Sequence, residues 1–264
     1  MVVDNRTQRF YDGYWPENIP DYKKTREHVI SIIPDERFGR ILDAGCGTGV
    51  CSIALSERGE RVVSLDISRN SIHTAKFLAN KLERENIDFV QGDLLDLPIK
   101  DRYFNLVFSW GAIHHTKNPE RALKELVRVM SDDGTLVLAI YRRTRLTFFH
   151  EFIRKLCLNM PHRFHNIFVK SIARFIGLLS RFMTLKAIRD DNPCIESKII
   201  DWYFVPEKHF FTINEMKELF DKYNLEFELL YDSTGRFKST SNFIVRGRKN
   251  VGRNKKIRKI HHNR

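Results

Sequence analysis

Cysteine is scarce in this 264-residue chain, and its four copies, Cys46, Cys51, Cys157 and Cys194, form no Cys-x-x-Cys pair. That spacing excludes a zinc knuckle and offers no disulfide framework, so no metal centre and a reducing, cytoplasmic setting are expected. Cys46 and Cys51 read as small buried fillers. Long apolar runs are absent too. No uncharged stretch approaches the roughly 18 residues that a membrane span needs. The opening "MVVDNRTQRFYDGYWP" lacks the apolar core of a secretory signal. No internal repeat is visible. The segment 249–264 has no acidic residue and little to bury, and is expected to be a basic, disordered tail.

What is present in excess is positive charge, and it is unevenly placed. The net charge is +12, yet residues 1–144 sum to zero, 145–200 carry +6, 201–245 carry −3 and 246–264 carry +9. The first half therefore takes no part in whatever the excess serves.

Periodicity orders the chain into alternating strands and helices. Residues 22–33 read as a helix stopped by Pro34, 39–45 as a strand, 49–58 as a helix and 61–68 as a strand. A helix follows over 68–86, with Ile72, Ala75, Phe77, Leu78 and Leu82 as its apolar side. Strands at 87–93, 104–110 and 134–141 enclose a helix at 118–130 opened by Asn118-Pro119. Such alternation implies right-handed crossovers and a mostly parallel sheet. Residues 145–188 carry no strand signal and divide at Pro161. Thr212 and Glu215 form a capping-box pattern, and 225–232 with 241–248 read as a terminal hairpin connected through Gly235. The organisation expected is an N-terminal helical cap (1–35), a core (36–144), a helical insert forming a lid (145–200), a C-terminal part of the core (201–248) and the tail.

The stretch Asp43-Ala44-Gly45-Cys46-Gly47-Thr48-Gly49 follows the first strand and opens a helix. Glycines there allow positive φ and a close backbone approach to a ligand. Asp66 ends the second strand, where a carboxylate can hold both ribose hydroxyls. A dinucleotide site needs a third glycine one position later, where Val50 stands. Asp43 also adds negative charge beside the turn, which suits an ammonium group better than a pyrophosphate. The pattern favours a nucleoside with a cationic amino-acid tail.

"LDAGCGTG", "VVSLDIS", "QGDLLDLP", "RYFNLVFSWGAIHH" and "RVMSDDGTLVLAIY" together resemble the class I S-adenosylmethionine (SAM)-dependent methyltransferases. The small-molecule subgroup with the ubiquinone and menaquinone biosynthesis enzymes (methyltransferase type 11) is the most similar. The resemblance covers residues 36–141. It implies a seven-stranded Rossmann-like α/β sheet, mostly parallel with an antiparallel terminal hairpin, and SAM as cofactor. It implies that the Gly45, Gly47 and Gly49 turn, with Asp43 and Ala44, holds the methionine portion and Asp66 the ribose. Ile67 would pack on adenine, Asp93 and the Leu94 amide would bond its edge, the Ser109 carbonyl would face the ammonium, and Tyr11 would cover the cofactor.

Methyl transfer from a sulfonium needs orientation and a dry site rather than an enzyme nucleophile. A hydroxyl or acidic-carbon acceptor benefits from a general base. His114 and His115, after the fourth strand, are candidates, with His209 and Tyr203 further on. The stretch "DWYFVPEKHFFTINEMKELF" resembles a substrate-pocket segment of the subgroup. The Asn/Asp-Pro-Pro-aromatic motif of enzymes that methylate adenine or glutamine is replaced here by Ser109-Trp110-Gly111-Ala112. Pro193-Cys194 lies in the insert, away from the position of a pyrimidine-methylating nucleophile. The favoured function is methylation of a small, hydrophobic acceptor on O, C or N. RNA methylation through the basic tail, and a non-catalytic SAM-binding scaffold or lipid-surface adaptor, are the alternatives. In the insert, Arg163, Lys170, Arg174 and Arg181 fall within about 20° of one line on a helix, beside an arc of Phe164, Phe168, Ile172, Phe175, Leu179 and Phe182. Residues 163–183 thus read as a lid helix, or as a helix docking on an anionic membrane.

Overall fold

The computed structural model of the protein describes residues 5–14, 19–145, 147–182, 195–232 and 242–250. Its centre is a seven-stranded sheet of order β3-β2-β1-β4-β5-β7-β6. The strands are β1 (Phe38–Ala44), β2 (Gly59–Asp66), β3 (Ile87–Gln91), β4 (Phe104–Trp110), β5 (Met130–Tyr141), β6 (Leu225–Asp232) and β7 (Asn242–Lys249). The first five run parallel, and β7 is antiparallel to both β5 and β6. This is the sheet that the sequence predicts. Chain order reverses between β1 and β4, so their carboxyl ends border the crevice where open α/β sheets take ligands.

The helices are α1 (Asn5–Tyr14), α2 (Tyr22–Ile32), α3 (Val50–Leu55), α4 (Arg69–Lys81), α5 (Pro119–Val129), α6 (Thr147–Leu158), α7 (His162–Phe182), α8 (Ile195–Tyr203) and α9 (Ile213–Lys222). Strand residues alternate between two cores, as a pleat requires. Leu42, Val107, Leu136 and Leu138 pack with Leu123 and Leu126 of α5 and with Met216 and Phe220 of α9. Ile41, Leu106, Phe108 and Val137 pack with Val29 of α2, Ile53 of α3 and Ala79 of α4. Local caps fix where the helices begin. Asn118 Oδ1 accepts from Arg121 N ahead of Pro119, and Thr212 and Glu215 form the expected capping box.

Three elements differ from the sequence reading. The buried side of α4 is Ser71, Ala75 and Ala79, whereas Phe77 is 65% exposed and Leu82 is exposed too. Small residues prevail because α4 must approach the glycine turn: a Cβ on Gly49 would stand 2.6 Å from Ala75 Cβ. The last strand reaches Lys249, which donates to Met130 O at 2.6 Å, and Arg246 pairs with Glu228 at 2.7 Å, so the start of the basic segment belongs to the sheet. Helix α8 was not read from the sequence and crosses the 200/201 boundary. Gly235, Pro193-Cys194 and the tail from 251 lie outside the described residues.

Pro161 separates α6 from α7 as expected. These helices, α8 and the residue after it share a small core of Cys157, Val169, Ile199 and Phe204, separate from the two sheet cores.

Candidate active site

A cavity of about 250 Å³ opens at the carboxyl ends of β1, β2 and β4. The turn after β1 holds Gly45, Gly47 and Gly49 at φ of 81°, 52° and 77°, a region that costs other residues about 1–2 kcal/mol. Space forbids a side chain as well. A Cβ on Gly45 would lie 2.2 Å from Ala112 Cβ. The turn is thus bare main chain held between α4 and the segment after β4.

Two carboxylates sit at this turn. Asp66 is buried in the cavity wall, with Oδ2 accepting from Gly47 N and Oδ1 from Ser68 N, each at 2.8 Å. Burial pushes its pKa up to about 6, against those bonds. Asp43 is buried behind the turn, and its Oδ2 accepts from Ser52 Oγ at 2.5 Å. Its Oδ1 is buried with no partner among the described residues, and desolvation pushes its pKa up to about 7. A pair of buried acids is a poor floor for phosphates and a suitable one for a cation.

The remaining residues named from the sequence divide between the wall and its backing. Ile67, Asp93 and Leu94 line the cavity, with Asp93 Oδ1 accepting from Leu95 N at 2.9 Å. Tyr11 lines it from α1. That helix is tied down by Asp12, whose Oδ1 accepts from Ser68 Oγ at 2.7 Å and Asn70 N at 3.2 Å. Asp43, Ala44, Gly47, Gly49 and Ser109 stand behind the wall. Ser109 Oγ turns inward and donates to Ala44 O at 2.8 Å.

His114 and His115 form a 3-10 turn after β4 and both line the cavity. His115 Nδ1 lies 2.9 Å from the Glu207 carbonyl oxygen, so this nitrogen carries the hydrogen and Nε2 keeps its lone pair. Burial pushes the pKa of His115 down to about 4, leaving the ring neutral at physiological pH. His114 is fully buried, neither ring nitrogen has a partner among the described residues, and desolvation drives its pKa well below the usual range. His209 donates its backbone N–H to His114 O at 2.8 Å but does not line the cavity. Tyr203 pairs with His150 at 2.9 Å, also away from it.

Sequence reasoning missed Tyr141, Asp201, Lys208 and Asn242. Three of them, Tyr141, Asp201 and Asn242, line the cavity beside the histidines. Tyr141 OH donates to Asp201 Oδ2 at 2.7 Å. Behind them Lys208 is buried among rings, its Nζ 4.0 Å from the Trp202 centroid and 4.5 Å from that of Tyr141, and it donates to Asp201 O at 3.3 Å. Cation–π attraction offsets part of its desolvation, yet burial still pushes its pKa down to about 8. The stretch 201–220 drew attention as a whole, but only the folded chain shows which of its residues face the cavity. Helices α6 and α7 contribute no residue to the cavity wall, and α8 contributes Asp201.

Residues 42–138 match the family described as methyltransferase domain. Demethylmenaquinone methyltransferase of Staphylococcus epidermidis is 35% identical over 120 residues, across 44% of this chain and 48% of that one. The chain spans about half the length of the curated relatives it matches. YcgJ of Bacillus subtilis superimposes with a TM-score of 0.59 at 15% identity, covering 86% of this chain and 98% of that one. Magnesium protoporphyrin IX methyltransferase of Synechocystis PCC 6803, solved with bound SAH, gives 0.58 at 15% identity, covering 92% and 97%. The fold is that of the class I methyltransferases. The match ends at Leu138, so Tyr141, Asp201, Lys208 and Asn242 lie beyond the matched residues.

Proposed function

We propose that this protein is a SAM-dependent methyltransferase whose acceptor is a small, hydrophobic molecule carrying an ionisable proton. One observation carries the reading: a single cavity is lined both by Gly45 and Asp66 and by His115, whose Nε2 keeps its lone pair. The donor fits the Gly45 and Asp66 side on three counts. A cradle that a Cβ would fill lies at Gly45, a buried carboxylate oxygen of Asp43 lacks a partner among the described residues, and the third glycine, Gly49, falls one position short of the spacing a pyrophosphate site uses. The Gly45–Gly49 main chain would take the methionine portion, Asp66 the ribose, and Ile67, Asp93 and Leu94 the adenine, with Tyr11 as cover. When bound, SAM supplies an electrophilic methyl on a sulfonium.

The chain's own part is to orient the acceptor and receive its proton. Asp201 and His115 Nε2 both offer lone pairs to the cavity, which suits an acceptor presenting O–H, N–H or an acidic C–H. Tyr141, Tyr11 and Trp110 give aromatic walls. The demethylmenaquinone and magnesium protoporphyrin IX named in the relatives are lipophilic small molecules, in line with a lipophilic acceptor here. Such a molecule partitions into lipid, so the reading extends to work at an anionic membrane surface met through residues 163–183. The RNA alternative rests on the tail, which from 251 lies outside the described residues, and no feature of the cavity favours it.

The test is untargeted profiling of a lipid-containing metabolite extract incubated with the protein and SAM bearing an isotopically labelled methyl group. A labelled, extractable product is expected. Donor binding without any labelled product favours the non-catalytic scaffold.

A further inference from the structure

Helices α6 and α7, which contribute no residue to the cavity wall, carry the most exposed aromatic surface among the described residues. On α6, Phe148 is 84% exposed, and Phe149, Phe152 and Leu156 are exposed too. At 100° per residue these four share an arc of about 100°, while Ile153 and Cys157, about 40° and 80° beyond its edge, pack into the small core. On α7, Phe164, Ile167 (62%) and Phe175 (60%) face outward, while Phe168, Val169 and Ile172 face the same core. Leucine and phenylalanine on an outer face cost solubility unless something covers them.

Cations edge this surface. Exposed Arg163, Lys170 and Arg174 lie along one border of the outward arc of α7, and exposed Lys155 borders that of α6. Helix α7 contains no Asp or Glu. The one acid of α6, Glu151, is paired with Arg154 at 3.2 Å. An apolar stripe bordered by cations on both helices matches the interfacial zone of an anionic bilayer: rings enter the acyl boundary and cations meet phosphates. A second copy of this chain fits worse, because like-charged rows would then face each other. Among the described residues, no helix is long and apolar enough to cross a membrane.

We infer that α6 and α7 together form a docking face for an anionic lipid bilayer, with the aromatics of α6 as its main insertion element. The inference rests on the proposed lipophilic acceptor for its purpose: the docked protein would take that acceptor from the membrane. Its test does not depend on methyl transfer.

The experiment is co-sedimentation of the full chain with vesicles of phosphatidylcholine alone and of phosphatidylcholine mixed with phosphatidylserine. One variant combines Phe148→Ser with Phe152→Ser, and another combines Arg163→Gln, Lys170→Gln and Arg174→Gln. All proteins keep the basic tail, so any difference between them tracks the face. Sedimentation with the anionic vesicles is expected, lowered about tenfold or more by either set of changes. Thermal melting and SAH calorimetry should be unchanged, since none of these residues lines the cavity. Equal binding to neutral vesicles, no binding, or undiminished binding of the Phe148/Phe152 variant in folded form overturns the inference. So does a dimer, seen by analytical ultracentrifugation, that the phenylalanine variant abolishes. If SAH binding fails while sedimentation behaves as expected, the methyltransferase reading falls and the docking face stands.

Discussion

The imidazole of His115 is anchored by its Nδ1–H to the carbonyl oxygen of Glu207, 2.9 Å away and 92 residues later in the chain. That bond ties the turn after β4 to the loop after α8 and selects the tautomer with Nε2 unprotonated. With the pKa pushed down to about 4, the ring stays neutral through the range where an exposed histidine would gain a proton. At saturating donor, kcat is therefore expected to hold as pH falls through 6.5 and to decline only nearer 4–5, while protonation of Asp66 near 6 weakens donor affinity. His115→Gln should lower kcat by about 10²–10⁴ and leave SAH affinity within a few-fold. A pH–rate profile of the wild type and single-turnover rates of the variant check this. An acid limb near 6.5 contradicts it.

Asp201 presents a carboxylate to the cavity and receives the Tyr141 hydroxyl at 2.7 Å. Asp201→Asn should raise the acceptor KM about tenfold or more, since a hydrogen bond to a charged group contributes about 1.5–3 kcal/mol. Tyr141→Phe, which leaves the carboxylate in place, should have the smaller effect. Steady-state kinetics with the acceptor found by labelling decides, and a larger loss in Tyr141→Phe would reverse the assignment.

Asp43 makes the ligand-free protein less stable as pH rises. Its folded pKa, about 7, exceeds its ordinary 3.8, so the folded state holds the proton more tightly. Stability from this group is complete below pH 4 and is lost as pH rises through 7. The shift corresponds to roughly 4 kcal/mol at pH 8. Asp43→Asn keeps a partner for Ser52 and removes the buried charge. Its melting temperature should match the wild type near pH 4 and exceed it by several degrees at pH 8. Donor affinity should fall. Differential scanning fluorimetry across pH checks the first part, and a melting advantage that does not grow with pH counts against it.

Close packing of α4 on the glycine turn gives a contrast between neighbours. Ala75→Leu should destabilise by about 1–3 kcal/mol through overpacking against Gly49. Phe77→Ser, at an exposed position, should change stability by no more than about 0.5 kcal/mol. Chemical denaturation of both variants tests this, and equal losses would show that Phe77 is core.

That same helix shows where sequence reading stops. Strands β1 to β4 and β6 were legible because each is a short apolar run closed by glycine or an acid, and the caps Asn118 and Thr212 marked their helices. The donor end of the site was legible for a similar reason: Asp43, Gly45, Asp66 and Asp93 all sit at strand ends, at fixed offsets from the periodic pattern. The inner side of α4 was not, because hydrophobicity points to Phe77 while the contact is decided by how little room the turn leaves. The acceptor end was not, because Tyr141, Asp201 and Asn242 come from β5, α8 and β7 and meet only in three dimensions. The docking face was half visible. The periodicity of 163–183 gave the arginine row, but Phe164 and Phe175 face away from the small core while Phe168 and Ile172 face it. No angular pattern alone says which part of an apolar arc finds a partner.

The central claim is that the turn at Gly45 and the carboxylate of Asp66 hold a sulfonium nucleoside. Isothermal titration calorimetry with SAM and SAH tests it most directly, on the wild type and on Asp66→Ala. Saturable heat is expected for both ligands with the wild type, and affinity weaker by about tenfold or more in a variant that still melts cooperatively. Absence of heat with either ligand in folded wild-type protein, or an unchanged affinity in Asp66→Ala, contradicts it.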